Sequence, residues 1–289
     1  MTMMVQWLRG ELPPLLVGHR GARAVAPENT MASFRRAWED GADAVELDVR
    51  LTADGAVVVI HDETVDRTTD GHGAVGEMSL AELRRLDAGS WFDPAYAGER
   101  IPTLEEVLDW ARGKVALLIE LKYPHRRFRP DLVPAVLARL RGSGMEEDVA
   151  IISFNGEAIE QVRREAEALP AGVMEPDVLL QPLAAWLARR FPALTRWRVV
   201  RRLLLRPLAL ALRHGATMVL PHSASLSALL VNEAHRRRMP VSPGGERWDY
   251  PAAIAMGVDT LAADDPGEVR RRYLPREDAT SSDGERPTG

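Results

Sequence analysis

Short apolar runs recur along this 289-residue chain, and most of them are followed by a helical pattern. This rhythm constrains the fold more than any other feature. Each run has the length and the branched apolar content of a buried strand. Eight such runs begin near residues 15, 44, 115, 149, 171, 216, 239 and 258. Eight strand–helix units in a chain of this length predict a TIM (β/α)8 barrel, with a doubly wound parallel sheet as the alternative.

The domain organisation follows from the same pattern. Residues 1–275 are predicted to form a single barrel domain. Residues 63–100 are polar and rich in turns, and they form a small insertion after a β-hairpin. Residues 179–213 read as a basic, apolar helical segment, and residues 276–289 read as a disordered tail.

Composition excludes several classes of protein. The chain has no cysteine, which rules out disulfides, thiolate zinc sites and a cysteine nucleophile. No uninterrupted apolar run reaches about 18 residues, so no membrane span is predicted. Residues 1–14 lack the apolar core of a secretory signal. The expected location is cytoplasmic, with peripheral contact to a membrane as a further option.

Charge is spread unevenly along the chain. The net charge is −5, yet residues 178–238 carry eleven arginines and one acid, Glu233. Such a basic stretch predicts a surface that faces an anionic partner. Lysine is scarce in this stretch and the rest of the chain is acidic, so we expect no nucleic-acid partner.

Ionisable side chains occur at or near the carboxyl ends of three predicted strands: His19, Arg20, Glu46, Asp48, Glu120 and Lys122. Glu46 and Asp48 are two residues apart on one strand and therefore share one face of it. Glu120 and Lys122 share a face in the same way. Because the carboxyl ends of TIM-barrel strands form one rim, these groups are expected to converge there.

A hairpin brings a second histidine to this rim. Residues 52–55 form a turn that is too short for a parallel crossover, so residues 56–60 must return antiparallel. Pairing about the turn places His61 roughly opposite Glu46. His72 lies between two glycines and is interpreted as a loop residue rather than a ligand.

The residue types at the rim indicate a particular chemistry. Three converging carboxylates without sulfur suit a hard divalent cation such as Mg²⁺, Ca²⁺ or Mn²⁺. Two histidines beside such an ion suit general acid and base catalysis near neutral pH. Arg20 and Lys122 can hold an anion such as phosphate. Together these groups predict metal-assisted cleavage of a phosphodiester.

The motifs resemble, in order and spacing, those of the glycerophosphodiester phosphodiesterase family: His19-Arg20-Gly21, Pro27-Glu28-Asn29-Thr30, Glu46-Leu47-Asp48, His61-Asp62, Glu120-Leu121-Lys122 and Ser153-Phe154. The resemblance is close over residues 14–155, and residues 257–259 and 264–266 are also similar. It implies a TIM barrel and a divalent metal cofactor. It also implies specific roles: metal ligands Glu46, Asp48 and Glu120, acid–base residues His19 and His61, and phosphate-binding residues Arg20 and Lys122.

The sequence departs from the family pattern in two places. Residues 242–245 stand where the family usually has an aromatic motif, so an aromatic wall of the substrate pocket is missing unless Trp248 replaces it. Residues 179–213 are longer and more basic than this connection usually is. Three arginines there are spaced four apart, on one helical face bounded by two prolines: Arg198, Arg202 and Arg206, between Pro192 and Pro207.

The function predicted is hydrolysis of glycerophosphodiesters to glycerol 3-phosphate and an alcohol by a metal-dependent enzyme with two acid–base histidines. One alternative is a lysophospholipase D, in which an acyl chain rests on residues 179–213. An alternative of another class is a catalytically silent barrel that binds phosphate or a membrane. The sequence leaves open whether water or the glycerol hydroxyl is the nucleophile, and which histidine is the base.

Overall fold

The computed structural model describes residues 14–175, 185–186, 189–191, 193, 195, 197–245 and 249–274. The strands within these ranges are β1 (Leu15–Gly18), β2 (Ala44–Leu51), β3 (Val57–Val59), β4 (Ala116–Leu121), β5 (Val149–Ser153), β6 (Ala171–Met174), β7 (Met218–Leu220) and β8 (Thr260–Ala263). Seven of them form a curled parallel sheet in the order β7-β6-β5-β4-β2-β1-β8. Strand β3 pairs antiparallel with β2, as the hairpin argument predicts.

The sheet closes into a barrel through residues 240–244, which lie between β7 and β8. On one side, Ser242 N–H donates to the Val219 carbonyl at 2.9 Å. On the other side, Asp259 N–H donates to the Val241 carbonyl at 2.9 Å. The strand predicted near residue 239 is therefore present only as isolated parallel bridges, at Val241 and Gly244. The predicted TIM barrel is therefore confirmed.

The described helices are α1 (Met31–Glu39), α2 (Leu80–Leu83), α3 (Leu104–Ala111), α4 (Leu132–Leu140), α5 (Gly156–Glu165), α6 (Arg198–Leu204), α7 (Arg206–Arg213), α8 (Ala228–His235), α9 (Tyr250–Met256) and α10 (Pro266–Tyr273). Helix α1 shows how the elbow after β1 is fixed. The Thr30 hydroxyl accepts a hydrogen bond from Ser33 N–H at 3.2 Å and caps the first turn. None of the described helices is both long and apolar enough to cross a bilayer.

The alternation of residues along the strands divides the core into two layers. Val45, Leu47 and Val49 of β2 point outward and pack in the large cluster beneath the helices. The inward-facing positions form a small apolar cluster inside the barrel. On β2 the inward positions change from Ala44 to charged residues toward the carboxyl end. The fold therefore closes one end of the barrel with apolar side chains and leaves ionisable groups at the other.

The hairpin register differs slightly from the prediction. Val59 pairs with Val49, and Ile60 N–H donates to the Asp48 carbonyl at 2.9 Å. Continuing this ladder brings His61 opposite Leu47, one residue away from the predicted partner. Within a strand, a shift of one residue moves every side chain to the opposite face of the sheet. His61 lies two residues after the end of β3, so its side chain is not bound to this alternation.

The basic segment also differs from the prediction. Helix α6 ends before Leu205, and Arg206 starts α7 with Pro207 in its first turn, where proline is well tolerated. Pro207 thus opens a helix instead of ending one, and the predicted single face of arginines is divided between two helices. The predictions for Trp248 and for the tail at 276–289 fall outside the described residues.

Candidate metal and phosphate site at the carboxyl end of the barrel

Three carboxylates meet on the inner face of the barrel where β2 and β4 end. Glu46 and Asp48 alternate along β2, and the parallel register places Glu120 of β4 beside Asp48. One oxygen from each residue lies within 4.8 Å of the others. All three side chains are buried. The structure brings together the three residues predicted as metal ligands, and their role as ligands stays a prediction.

Two cations lie against these carboxylates. Lys122 Nζ is 2.6 Å from Glu120 Oε1 and 3.2 Å from Asp48 Oδ1. Arg20 Nε is 3.4 Å from Asp48 Oδ2, and its Nη1 donates to Glu28 Oε1 at 2.9 Å. The two residues predicted to hold phosphate therefore occupy the same site as the triad.

The loop after β1 fixes the orientation of the carboxylates. Asn29 Nδ2 donates to Asp48 Oδ2 at 2.8 Å, and Asp48 N–H donates back to Asn29 Oδ1 at 3.2 Å. Arg20 N–H donates to Glu46 Oε2 at 2.8 Å. Arg20 and Asn29 both have left-handed backbones, with φ of 52° and 55°. Such conformations cost energy and occur mainly where the surroundings impose them, as at functional sites.

Burial and mutual repulsion separate the acidities of the three carboxyls. Burial, reinforced by Asp48 and Glu120, raises the pKa of Glu46 well above its usual range. Burial also raises the pKa of Glu120 to about 7, although Lys122 opposes the shift. Burial disfavours the charged form of Asp48 as well, but Lys122 and Arg20 outweigh it and hold that pKa well below its usual range. Only Asp48 is thus firmly ionised at neutral pH by its protein neighbours alone.

The donor set fits a hard divalent cation. Asp48 Oδ1 is buried and has no hydrogen-bond partner in the protein. Lys122 Nζ, the cation nearest to it at 3.2 Å, lies closer to Glu120 Oε1 at 2.6 Å, so one ammonium is shared between the two carboxylates. Buried carboxylate oxygens without directed donors are costly, and coordination to Mg²⁺, Ca²⁺ or Mn²⁺ would satisfy them. Glu46, Asp48 and Glu120 are the residues that would hold the ion.

His19 follows β1 and is oriented by a distant part of the chain. Its Nδ1 lies 2.7 Å from Asp264 Oδ1, and Arg23 Nε lies 2.8 Å from the same oxygen. Despite the opposing effect of burial, His19 and Arg23 lower the pKa of Asp264 to about 2. An ionised carboxylate can only accept, so Nδ1 of His19 carries the proton and Nε2 remains for proton exchange.

His61 follows β3 and has the same arrangement. Its Nδ1 lies 2.6 Å from Asp62 Oδ1, and Arg67 Nε donates to Asp62 Oδ2 at 2.6 Å. Burial lowers the pKa of His61, with Asp48 opposing the shift. A neutral imidazole with Nδ1 committed to a carboxylate is the form in which a histidine can accept a proton at Nε2.

An open pocket lies inside the barrel mouth and reaches the triad. His19, Glu46, Glu120, Met174, Ser242 and Gly244 are among its lining residues. No aromatic ring of the described residues lines it. The prediction for the aromatic wall depends on Trp248, which lies outside the described residues.

Sequence reasoning did not assign the partners that orient the site. Asp62 and Asp264 stood within motifs, but nothing in the sequence paired each with a histidine. Arg67 lies in the polar insertion and carried no signal. Asn29 holds Asp48, while its neighbour Thr30 caps α1. His72 lies as predicted in an exposed loop, with Nδ1 at 3.1 Å from Asp66 Oδ1.

Comparison with known proteins adds a family relationship. Residues 19–268 match the model of the glycerophosphoryl diester phosphodiesterase family. A glycerophosphodiester phosphodiesterase of Caldanaerobacter subterraneus subsp. tengcongensis is 36% identical over 255 residues, which cover 87% of this chain and 94% of that protein.

Solved structures share the fold. A glycerophosphodiester phosphodiesterase from Agrobacterium tumefaciens superposes with a TM-score of 0.69 at 31% identity, covering 88% of this chain and 97% of the other. An Oleispira antarctica phosphodiesterase in complex with the product sn-glycerol-3-phosphate superposes with a TM-score of 0.72 at 26% identity, covering 90% and 96%.

Proposed function

The chain belongs to the glycerophosphoryl diester phosphodiesterase family, and from this premise we propose that it hydrolyses glycerophosphodiesters to glycerol 3-phosphate and an alcohol. One observation carries the proposal. A buried carboxylate triad lies in contact with Arg20 and Lys122, at a rim that also holds two histidines with Nδ1 fixed by aspartates. A catalytically silent binding barrel would have no need for two such oriented histidines.

The proposed mechanism assigns the phosphate to the cations and the triad. Glu46, Asp48 and Glu120 would hold the divalent ion, which when bound polarises the phosphoryl oxygens and offsets their developing charge. Arg20 and Lys122 would bind the same oxygens and add fixed positive charge within a partly closed site. The binding energy then increases as negative charge accumulates in the transition state.

The two histidines would handle protons. One Nε2 would accept the proton of the nucleophile, which is either water or the neighbouring glycerol hydroxyl, and the other would donate a proton to the departing alkoxide. Asp62 and Asp264 keep Nδ1 protonated in each ring, so both Nε2 atoms stay available. The lowered pKa of His61 suits the neutral, proton-accepting role at neutral pH.

The test uses purified protein with glycerophosphocholine and measures glycerol 3-phosphate by an enzymatic coupled assay. Treatment with EDTA should abolish turnover, and addition of Mg²⁺, Ca²⁺ or Mn²⁺ in separate reactions should restore it. Asp48→Asn should lower kcat strongly in every metal, whereas Asp109→Asn, a change at an exposed site on α3, should not. Absence of product with every metal would contradict the proposal and favour the silent barrel.

A second candidate, action at a membrane on lysolipids, is favoured by the exposed surface of residues 179–213. Seven large apolar side chains are exposed in the described parts of the chain, and five of them lie in this segment: Trp186, Phe191, Trp197, Val199 and Leu212. The segment also carries eight arginines and no acid. It follows β6, whose carboxyl end lies at the catalytic rim. Apolar side chains among arginines are typical of helices that lie in an anionic membrane interface.

Vesicle co-sedimentation tests this candidate. Binding to anionic vesicles should exceed binding to neutral ones and should weaken with salt. At about 1 kcal/mol for each basic residue near the surface, removing three arginines should weaken binding by up to about 10²-fold. The variant carries Ala at Arg198, Arg202 and Arg206, and a control with the same charge change carries Ala at Arg35, Arg85 and Arg164. Failure to sediment with either vesicle type would make the segment an ordinary helical connection.

Lysolipid turnover is a separate measurement. If the segment brings the site to the bilayer, kcat/KM for lysophosphatidylcholine presented in anionic vesicles should exceed that for glycerophosphocholine. The triple arginine variant should lose this preference while retaining its activity on the soluble substrate. Equal loss on both substrates would contradict a role confined to the membrane.

A further inference from the structure

Arg67 contacts two parts of the site at once: the pair His61–Asp62 and the pair Arg20–Glu28. Its Nε donates to Asp62 Oδ2 at 2.6 Å, and Asp62 Oδ1 accepts from His61 Nδ1 at 2.6 Å. Its Nη1 and Nη2 donate to Glu28 Oε2 and Oε1 at 3.0 and 2.7 Å. Glu28 Oε1 also accepts from Arg20 Nη1 at 2.9 Å. All three guanidinium nitrogens are thus used, and they connect His61 to Arg20 through two carboxylates.

We propose that Arg67 is a positioning residue. Through Asp62 and Glu28 it fixes the positions of His61 and Arg20 relative to each other. The proposal rests on the proposed function, in which His61 exchanges a proton at the phosphate that Arg20 binds. Arg67 itself touches neither the phosphate nor the reacting atoms in this assignment.

The burial of Glu28 explains why a cation is needed at this place. The Glu28 side chain is only 8% exposed, so its charge is costly unless it is fully paired. Burial opposes its ionisation, but hydrogen bonds from Arg67 and the charges of Arg20 and Arg67 lower its pKa. Without Arg67, Arg20 would be the remaining cation on Glu28 in this network. Arg20 would then be held less well where it meets Asp48.

Asp62 depends on Arg67 in a similar way. Burial disfavours its charged form, yet hydrogen bonds from Arg67 and His61 lower its pKa to about 2. Arg67 occupies Oδ2 and thereby fixes the plane of the carboxylate, so that Oδ1 faces His61. Loss of this contact would let the carboxylate rotate. The imidazole of His61 would then no longer be held in the tautomer with the proton on Nδ1, which leaves Nε2 free.

The guanidinium group suits this role better than an ammonium. Its planar fork engages both oxygens of Glu28 while Nε points to Asp62, three directions that a lysine on a flexible stem cannot hold together. The backbone that carries Arg67 is itself fixed. Val65 is buried in the small core of the insertion, and Thr69 Oγ1 donates to the Val65 carbonyl at 2.8 Å.

The first test compares Arg67→Ala, Arg67→Lys and a matched control, Arg84→Ala. Arg84 lies in the same insertion as Arg67 and makes a bidentate pair with Glu106 of α3. It touches no residue of the site. Arg67→Ala should lower kcat on glycerophosphocholine about 10–100-fold, the range found when residues that orient ligands are removed. In Arg67→Lys, the decrease in log kcat should remain more than half of the decrease in Arg67→Ala. Arg84→Ala should leave kcat within about twofold of the wild-type value.

The second test does not depend on turnover. In ¹⁵N-resolved spectra, His61 should show Nδ1–H with an unprotonated Nε2 in the wild type at neutral pH, and a mixture of tautomers in Arg67→Ala. His19, which pairs with Asp264, should keep its signature in the same sample. An unchanged His61 tautomer together with a loss of kcat no larger than that of Arg84→Ala would overturn the proposal. A wild type inactive on glycerophosphodiesters would instead refute the function, and the spectra would still test the positioning.

Discussion

Replacing Glu120 by glutamine should stabilise the metal-free protein at alkaline pH. The carboxyl of Glu120 is buried beside Asp48, and this environment raises its pKa to about 7 from the usual 4.5. An acid whose pKa is raised in the folded state binds its proton more tightly when folded than when unfolded. Folding stability therefore falls as the pH rises from about 4.5 to about 7.

The size of the effect follows from the shift. Each pKa unit corresponds to about 1.4 kcal/mol, so ionisation of Glu120 should cost the metal-free fold about 3 kcal/mol by pH 8. Glutamine has a similar shape and does not titrate. The free energy of unfolding of Glu120→Gln minus that of the wild type should rise from near zero at pH 4.5 to about 3 kcal/mol at pH 8. Titration of groups away from Glu120, such as Asp62, cancels in this difference, whereas the titration of Glu46 cancels only in part, because the charge of Glu120 helps to raise its pKa.

A divalent cation should reverse the order. A ligand that binds only the folded state stabilises it by about 2.7 kcal/mol at 100 times its Kd and by about 4.1 kcal/mol at 1,000 times. Glu120→Gln removes one anionic ligand and should gain much less at the same concentration. At pH 8 the variant should therefore be the more stable protein in EDTA and the less stable one in saturating Ca²⁺ or Mg²⁺.

Urea unfolding followed by circular dichroism at pH 4.5, 6 and 8, with EDTA or with metal, measures all of these quantities. Glu39→Gln removes the same charge from the exposed end of α1 and serves as the matched control. A constant gap between Glu120→Gln and the wild type across this pH range in EDTA would refute the reasoning. Stabilisation of both proteins to the same extent by metal would remove Glu120 from the metal site.

The remaining predictions concern the histidines. His19→Ala and His61→Ala should each lower kcat by about 10²- to 10⁴-fold, because each removes one acid–base group, and circular dichroism should show an intact fold. His72→Ala should leave kcat nearly unchanged, since His72 is 85% exposed in its loop. Equal losses at His72 and His61 would contradict the assignment of His61 from the hairpin.

Much of the barrel could be predicted because local patterns determine it. Strand–helix alternation, the two-residue period of β2 and the short turn before β3 each act over a few residues. They placed Glu46 and Asp48 on one inward face and brought His61 back beside them. The convergence with Glu120 followed from one rule of the fold, that the carboxyl ends of the strands share a rim.

The contacts that orient the site could not be predicted, because they join residues that are distant along the chain. His19 and Asp264 are 245 positions apart, and Arg67 and Glu28 are 39 apart. In the sequence, Arg67 and Asp264 each look like an ordinary surface residue of a polar loop. The break at Leu205 was missed for a different reason. Periodicity continues through it, and only the position of a proline within the first turn of α7 distinguishes two helices from one.

The charges at the site match a phosphodiester better than its product. With all three carboxylates ionised, the triad carries three negative charges, and Arg20 and Lys122 in contact with it carry two positive ones. The charge of Glu28, which also contacts Arg20, is offset by Arg67. A divalent cation would leave the group with one positive charge, which a phosphodiester monoanion balances. Glycerol 3-phosphate, a monoester whose second pKa is near 6, approaches two negative charges at neutral pH. The proposed product would therefore leave excess negative charge in a partly buried site, where such charge is costly, and this favours its release.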